Sequence, residues 1–350
     1  MRFYHGGIAV RVDLDRYLED RLHDGITSCI TVALSDDERT RYAGWKGDTD
    51  SREGGGTLLV GPETRFNVGS VTKPITASLV CKLIELGEIT FSDSVRRIIP
   101  EYPFHDVCIS HLMTHSAGYD EHRQPAQPTR QQGIEGYLRE LYAIRDKSTA
   151  AGVRSGYFTA GYAILMDIIQ RVADTDIESF ARQILFDPLG MTRTTYDTTT
   201  LNEADRVYPV TVEGHRSLEL KEMAITADSG LYATAEDLVK FGRLFLNEGT
   251  ADDGRSVFLP STTAFMMSPY MSGSYDYTPV FWYKKSIERT GNFADTHAIG
   301  TVGHSGFSGC MLWIDPTYRR TGAIVTNSVK VHTTRGYYSL INNALMGSGL

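Results

Sequence analysis

Apolar residues recur along this chain with two different periods, and the switches between them mark its elements. In residues 12–24 (VDLDRYLEDRLHD), Leu14, Leu18 and Leu22 fall at i, i+4 and i+8, which predicts an amphipathic helix. Residues 27–35 (TSCITVALS) read as a strand, Asp36-Asp37-Glu38 as a polar turn, and residues 39–45 (TRYAGWK) as the return strand. Glycine and charge dominate residues 46–57, which predicts a loop. A helix is expected from 70 to 87. Ile75, Leu79, Leu83 and Leu86 keep its spacing, Pro74 sits in its first turn where the missing N–H costs little, and Gly87 closes it. Residues 135–145 and 161–174 also carry helical patterns, the second apolar on most sides and therefore buried. Residues 234–247 predict another amphipathic helix, with Thr234 as N-cap and Asp237 three residues on. Short strand-like runs follow at 300–327 (GTVGHSG, CMLWID, TGAIVTN), and a last helix is expected over 333–346.

This order predicts an α+β fold. The two strand groups join into one antiparallel sheet flanked by helices, and the helical middle forms an inserted, all-helical lobe. The corresponding division is 1–70 with 225–350 as the sandwich lobe and 71–224 as the mostly helical lobe, the active site between them. At roughly 150 residues per domain, 350 residues suit two domains or one composite one.

Composition narrows the function classes. Hydrophobic residues make up 41 % and charged residues 22 %, as in ordinary soluble domains. The net charge is −8 and no Lys/Arg run exceeds two residues, which excludes the basic footprint of a nucleic-acid binder. Cys29, Cys81, Cys108 and Cys310 lie far apart with no C-x-x-C pair, so buried thiols in a reducing compartment are expected. No apolar segment follows Arg2 and no stretch approaches ~18 apolar residues. A cytoplasmic protein without secretory leader or membrane span is the expectation.

The sharpest chemistry lies in Phe66-Asn67-Val68-Gly69-Ser70-Val71-Thr72-Lys73. Ser70 and Lys73 are three apart at the start of a helix, so their side chains share a face. A serine hydroxyl is a poor nucleophile until a neighbour takes its proton, and a lysine can do so only as the neutral amine. A helix N-terminus also favours a developing oxyanion. S-x-x-K alone is a frequent chance match. Four further segments accompany it: VCISHLMTHSAGY at 107–119, YFTAGY at 157–162, DSGLYATAEDL at 228–238, and GHSGFSGCMLWIDP at 303–316 with VTNS at 325–328.

In that order and spacing the chain resembles the serine β-lactamase and penicillin-binding-protein superfamily, in the branch similar to class C β-lactamases, esterases, D-aminopeptidases and transacylases. The resemblance covers roughly residues 12 to 345. It implies that Ser70 is the acylated nucleophile, Lys73 the base beside it, and Tyr157 the phenol that shuttles a proton. It also implies an oxyanion hole made by the backbone N–H groups of Ser70 and Phe307. Thr159, His304, Ser305 and Gly306 stand where the family contacts substrate. Two positions depart from the pattern: Thr159 replaces an asparagine and His304 a lysine that helps hold a carboxylate. Both shift the expectation from β-lactam hydrolysis toward an esterase, amidase, D-peptidase or transacylase.

Other readings of these residues stay open. Tyr157 is also one of 19 tyrosines and could be core, and His304 could only shape the pocket. Residues 275–283 (YDYTPVFWY) could line a cleft or form a strand edge. His111 and His115, four apart, could bind zinc on a helix, but no H-E-x-x-H accompanies them. No G-x-S-x-G elbow, P-loop, dinucleotide G-x-G-x-x-G or EF-hand loop occurs, so no cofactor and no metal are expected. The expected partner is a small-molecule ester or amide. Hydrolysis, transfer of the acyl group to an amine or alcohol, and non-catalytic ligand binding on the same fold are the three readings carried forward.

Overall fold

The strand-like runs near the two ends of the chain meet in a single sheet. In the computed structural model, which describes residues 11–49, 58–119, 124–129, 131–201, 206–207, 209–215, 217, 224–273, 276–288 and 291–350, the strands are β1 (Cys29–Asp36), β2 (Thr40–Thr49), β3 (Leu58–Leu59), β4 (Arg65–Asn67), β5 (Arg206–Val207), β6 (Tyr232–Ala233), β7 (Trp282–Tyr283), β8 (Val302–Gly306), β9 (Cys310–Asp315) and β10 (Arg320–Thr326). Seven of them form one sheet in the order β3-β2-β1-β10-β9-β8-β7. Its central pair joins the two ends of the chain, antiparallel, from Ile30 against Thr326 to Asp36 against Arg320. The small second sheet, β5-β4-β6, ties the segment before Ser70 to residues on the far side of the helical block.

The sheet has helices on both faces, which explains why every residue of β1 is buried. On one face Ile30, Val32, Leu34, Met311, Trp313 and Ile324 pack with Leu14 and Leu18 of the helix Leu14–Leu22 and Ile341 and Leu345 of the helix Tyr337–Gly347. On the other face the smaller Ala33 and Ala323, with Leu312 and Val325, meet the helix Ala235–Leu246. Thr234 caps that helix by accepting from the Asp237 N–H, as its spacing predicts. The Asp237 carboxylate does not return the bond. It accepts instead from Arg193 N and Thr194 Oγ1.

The helix Thr72–Glu85 runs through the interior, with Ile75, Leu79, Val80 and Leu83 buried. Each such side chain contributes about 1.5–3 kcal/mol on burial. It packs against Gly161–Ala173, the helix whose apolar residues cover most sides. Several expected boundaries move, among them the start of the last helix, at Tyr337 rather than 333. Ser70 lies in a 3₁₀ turn (Gly69–Val71) rather than in the α-helix, which starts at Thr72. Leu86 is exposed because the chain turns away at Gly87, whose φ is +77°. Residues 46–49 extend β2 instead of opening a loop, and the rest of that expected loop, 50–57, lies outside the described residues. The four cysteines are unpaired. Among the described residues no helix is long and apolar enough to cross a membrane.

Candidate active site

The local sequence around Ser70 fixes a tight turn. Asn67 Oδ1 accepts from Gly69 N (2.9 Å), Thr72 Oγ1 donates to Gly69 O (2.6 Å), and Val68 N donates to Leu231 O (3.0 Å). Gly69 has φ +55°, in the left-handed region that favours glycine. The end of β8 presses directly on this turn. A Cβ on Gly69 would lie 3.1 Å from Phe307 N, and one on Gly306 would lie 2.2 Å from Val68 O and 3.2 Å from Ser70 N. Only glycine at 306 lets strand and turn approach this closely. The approach brings the backbone N–H groups of Ser70 and Phe307 to the same corner.

Lys73 is fully buried. Its Nζ donates to Ser70 Oγ (3.0 Å) and to the carbonyl of Asp228 (2.8 Å). It also sits over the rings of Tyr157 and Tyr162, 5.1 and 5.5 Å from their centroids. Ring faces attract a cation. The acceptor loop is itself pinned. Ala227 holds φ +55°, its carbonyl accepts from Thr76 Oγ1 (2.7 Å), and Leu231 N donates to Thr72 Oγ1 (3.3 Å). Thr72, Lys73 and Thr76, on one side of the helix, therefore grip residues 227–231.

Tyr157 belongs to a stack of rings behind the lysine. It lies on His115 (centroids 4.4 Å apart) and beside His304 (6.4 Å), which in turn stacks on Trp282 (4.1 Å). Both imidazoles are buried. Burial first, then the Lys73 charge, pushes His115 down to about 3 and His304 well below its ordinary value. Both are thus neutral near pH 7. His304 Nδ1 lies 2.7 Å from the Ser305 carbonyl, so Nδ1 carries the proton.

A cleft of about 260 Å³ opens at Ser70, which is half-buried and reachable. Ser70, Asn67, Thr159, Gln127, Asp228 and Phe307 line it. Of the residues singled out from sequence, Ser70, Lys73, Tyr157, Thr159, Phe307, His304 and Gly306 converge at this corner. Ser305 is placed differently. Strand alternation turns it to the opposite face, where its hydroxyl accepts from Asn292 Nδ2 (2.8 Å). His304 backs the lysine and does not line the cleft. Of the 275–283 segment, Trp282 and Tyr283 form the edge strand β7, and none of its described residues lines the cleft; Tyr275 lies outside the described residues. The zinc reading of His111 and His115 fails on geometry. The helix ends at Met113, His111 Nδ1 accepts from Cys108 N, and His115, at φ +52°, turns onto Tyr157. Among the described residues no cluster of metal-ligating side chains occurs.

Asp228 has no role assigned from sequence: its part beside Lys73 is played by a backbone carbonyl, which no residue type announces.

The family model named Beta-lactamase matches residues 14–340. The chain belongs to the Beta-lactamase family. It is similar to Penicillin-binding protein 4 of Amycolatopsis lactamdurans, 26 % identical over 243 residues, with 63 % of this chain and 60 % of that protein covered. The chain thus spans about 60 % of the length of that curated relative. Among solved structures it is similar to "EstCE1, a hydrolase with promiscuous acyltransferase activity" (TM-score 0.80, 18 % identity, 95 % of this chain and 97 % of that one). It is also similar to D-alanine carboxypeptidase AmpC from Burkholderia cenocepacia (TM-score 0.76, 18 % identity, 96 % and 97 %). These likenesses establish the fold: an antiparallel sheet flanked by helices with a helical insertion.

Proposed function

We propose that this family member transfers acyl groups through an ester on Ser70, and that water is the usual acceptor. The reading rests on one observation: the Ser70 hydroxyl, open to a cleft, lies 3.0 Å from the amine of a fully buried lysine. In this reading Ser70 Oγ attacks an ester or amide carbonyl and Lys73 Nζ takes its proton. The N–H groups of Ser70 and Phe307 stabilise the oxyanion of the tetrahedral intermediate. The leaving group departs with a proton delivered from Lys73, with the Tyr157 phenol as a second donor. Water, giving a proton back to the same groups, then releases the acid. Thr159 and Gly306 position the substrate, and His304 keeps the amine dry. Thr159 and His304, which stand where the family has asparagine and lysine, support an ester, amide or D-peptide substrate over a β-lactam.

Transfer to an amine or alcohol is the second reading, supported by the acyltransferase activity named for the esterase-like structure. Incubation with a fluorophosphonate followed by peptide mass spectrometry tests the shared step. An adduct on Ser70 in native but not urea-unfolded protein is expected, and no adduct overturns both readings in favour of a ligand-binding protein. Product analysis on p-nitrophenyl esters with and without added amines separates the two. Transfer product with negligible free acid would overturn hydrolysis.

A further inference from the structure

Beside Ser70 the cleft wall holds buried polar atoms that the described residues leave unpaired. Asp228 Oδ1, Gln127 Oε1 and Tyr137 Oη are buried without a hydrogen-bond partner among the described residues. The first two belong to one place on the cleft wall. Gln127 Nε2 donates to Asp228 Oδ2 (3.2 Å), and the Asp228 charge adds to the burial that pushes the Tyr137 phenol up. Thr226 Oγ1 lies beside the same carboxyl and helps hold it down, and Ser229 Oγ donates to Asp228 Oδ2 (3.5 Å). Nearly all buried polar groups in native proteins find partners, so the two orphan acceptors side by side mark a place that something else completes.

The chemistry of the missing partner follows from the donor and acceptor inventory. The Gln127 amide is oriented by the carboxylate, since a flipped amide would set oxygen against oxygen. That leaves Gln127 Oε1 and Asp228 Oδ1 as acceptors. Asp228 is also the one charged side chain among the described residues that line the cleft. Burial pushes its carboxyl up from the usual carboxylate value while the Lys73 charge holds it down. The Lys73 amine is already engaged with Ser70 and the Asp228 carbonyl, so it does not fill the notch. A group with several N–H donors and a positive charge satisfies every term. Water would satisfy the hydrogen bonds without balancing the charge.

We propose that the notch formed by Asp228 and Gln127 binds a primary ammonium, so that the preferred acyl donors carry a cationic amino group. The kinetic part rests on the acyl-transfer reading; the binding part does not. The kinetic test uses p-nitroanilides of glycine, β-alanine and 4-aminobutyrate. Each is compared with the alkanoyl anilide in which CH₃ replaces NH₃⁺. For at least one length kcat/KM should favour the ammonium, and Asp228→Asn should lower that ratio about 10- to 100-fold, the loss of a hydrogen bond to a charged group. Ratios near one at all lengths, or a ratio unchanged in the variant, overturn the proposal.

The binding test titrates n-butylammonium and n-butanol into the full chain by calorimetry. Saturable binding of the ammonium alone, lost in Asp228→Asn and weakened in Gln127→Leu, supports the notch. Binding of neither probe, the result water in the notch would give, overturns it, as does equal binding to wild type and both variants. Ammonium binding without any Ser70 adduct would keep the notch and reject acyl transfer. A Ser70 adduct with alkanoyl turnover and no ammonium binding would do the reverse.

Discussion

Lys73 and Lys284 are both fully buried, yet their ammonium groups meet different surroundings. Lys284, next to the edge strand β7, donates to three carbonyls, those of Ala294 (2.8 Å), Asp295 (2.9 Å) and His297 (2.7 Å). An ammonium has three donors, so this one is saturated, and it clamps the 294–297 turn to the end of the sheet. Burial still pushes its amine down, against the raising charges of Asp295 and Asp315. Lys73 has one carbonyl, one hydroxyl and two ring faces. Its hydroxyl partner faces a cleft. Each lysine also has a buried histidine beside it held down to about 3, His115 for Lys73 and His297 for Lys284. Burial of the two amines is the same; what differs is whether every donor has a permanent acceptor. A saturated amine is a structural clamp, and one left touching an accessible hydroxyl is equipped for chemistry.

That contrast breaks most sharply on substitution. Lys73→Met should lower kcat for a p-nitrophenyl ester by about 10²–10⁴-fold, the range for a lost general base. Its stability cost is smaller, about 1–3 kcal/mol for the unpaired Asp228 carbonyl. Near-normal rates would show that the base is elsewhere. Lys284→Met should do the opposite. Three carbonyls lose a shared donor, partly offset by removing a buried charge, and the unfolding free energy in urea should fall by about 2–4 kcal/mol. Turnover per folded molecule should change little. If Lys284→Met lowered turnover as far as Lys73→Met, the distinction between clamp and reactive amine would be lost.

The two lysines also show what a sequence can and cannot disclose. Ser70 and Lys73 were legible because their relation is local, three residues on one helical turn. The strands β1, β8, β9 and β10 were legible because burial leaves runs of apolar residues. Tyr157, His304 and Gly306 came only through family resemblance, since no periodicity distinguishes a site tyrosine from a core one, and the close approach that needs glycine at 306 shows only in the fold. Lys284 was missed altogether, as was the part played by Asp228. In both cases the partner is a backbone carbonyl, and every residue type has one. Ser305 came through the same motif as His304, but the period of two in a strand sends neighbours to opposite faces.

Acidification should weaken both regions together. His115 and His297 titrate near 6.5 in the unfolded chain and at about 3 in the fold. Between those values the unfolded state binds more protons, so stability rises with pH. Their contribution is complete above about pH 6.5 and is lost as pH falls toward about 3. Each can remove up to about 1.4 kcal/mol per pH unit in that window. His304 and His332, also held down, act in the same sense, and Asp228, held up, acts against them. Urea unfolding at pH 7.0, 6.0 and 5.0 should show a falling midpoint at constant slope. A flat profile would mean that the imidazoles are not buried as described.

The smallest effect separates the two lysines again. Burial is the larger cause of depression for both histidines, and the neighbouring lysine charge is the second. Removing the charge should therefore raise each histidine only partway toward 6.5, and only in its own region. NMR titration of the ring C–H signals should show His115 rising in Lys73→Met with His297 unmoved, and the reverse in Lys284→Met. A rise of both histidines in either variant would mean that the two amines share one electrostatic environment. The contrast between a saturated clamp and an open amine would then rest on hydrogen bonds alone.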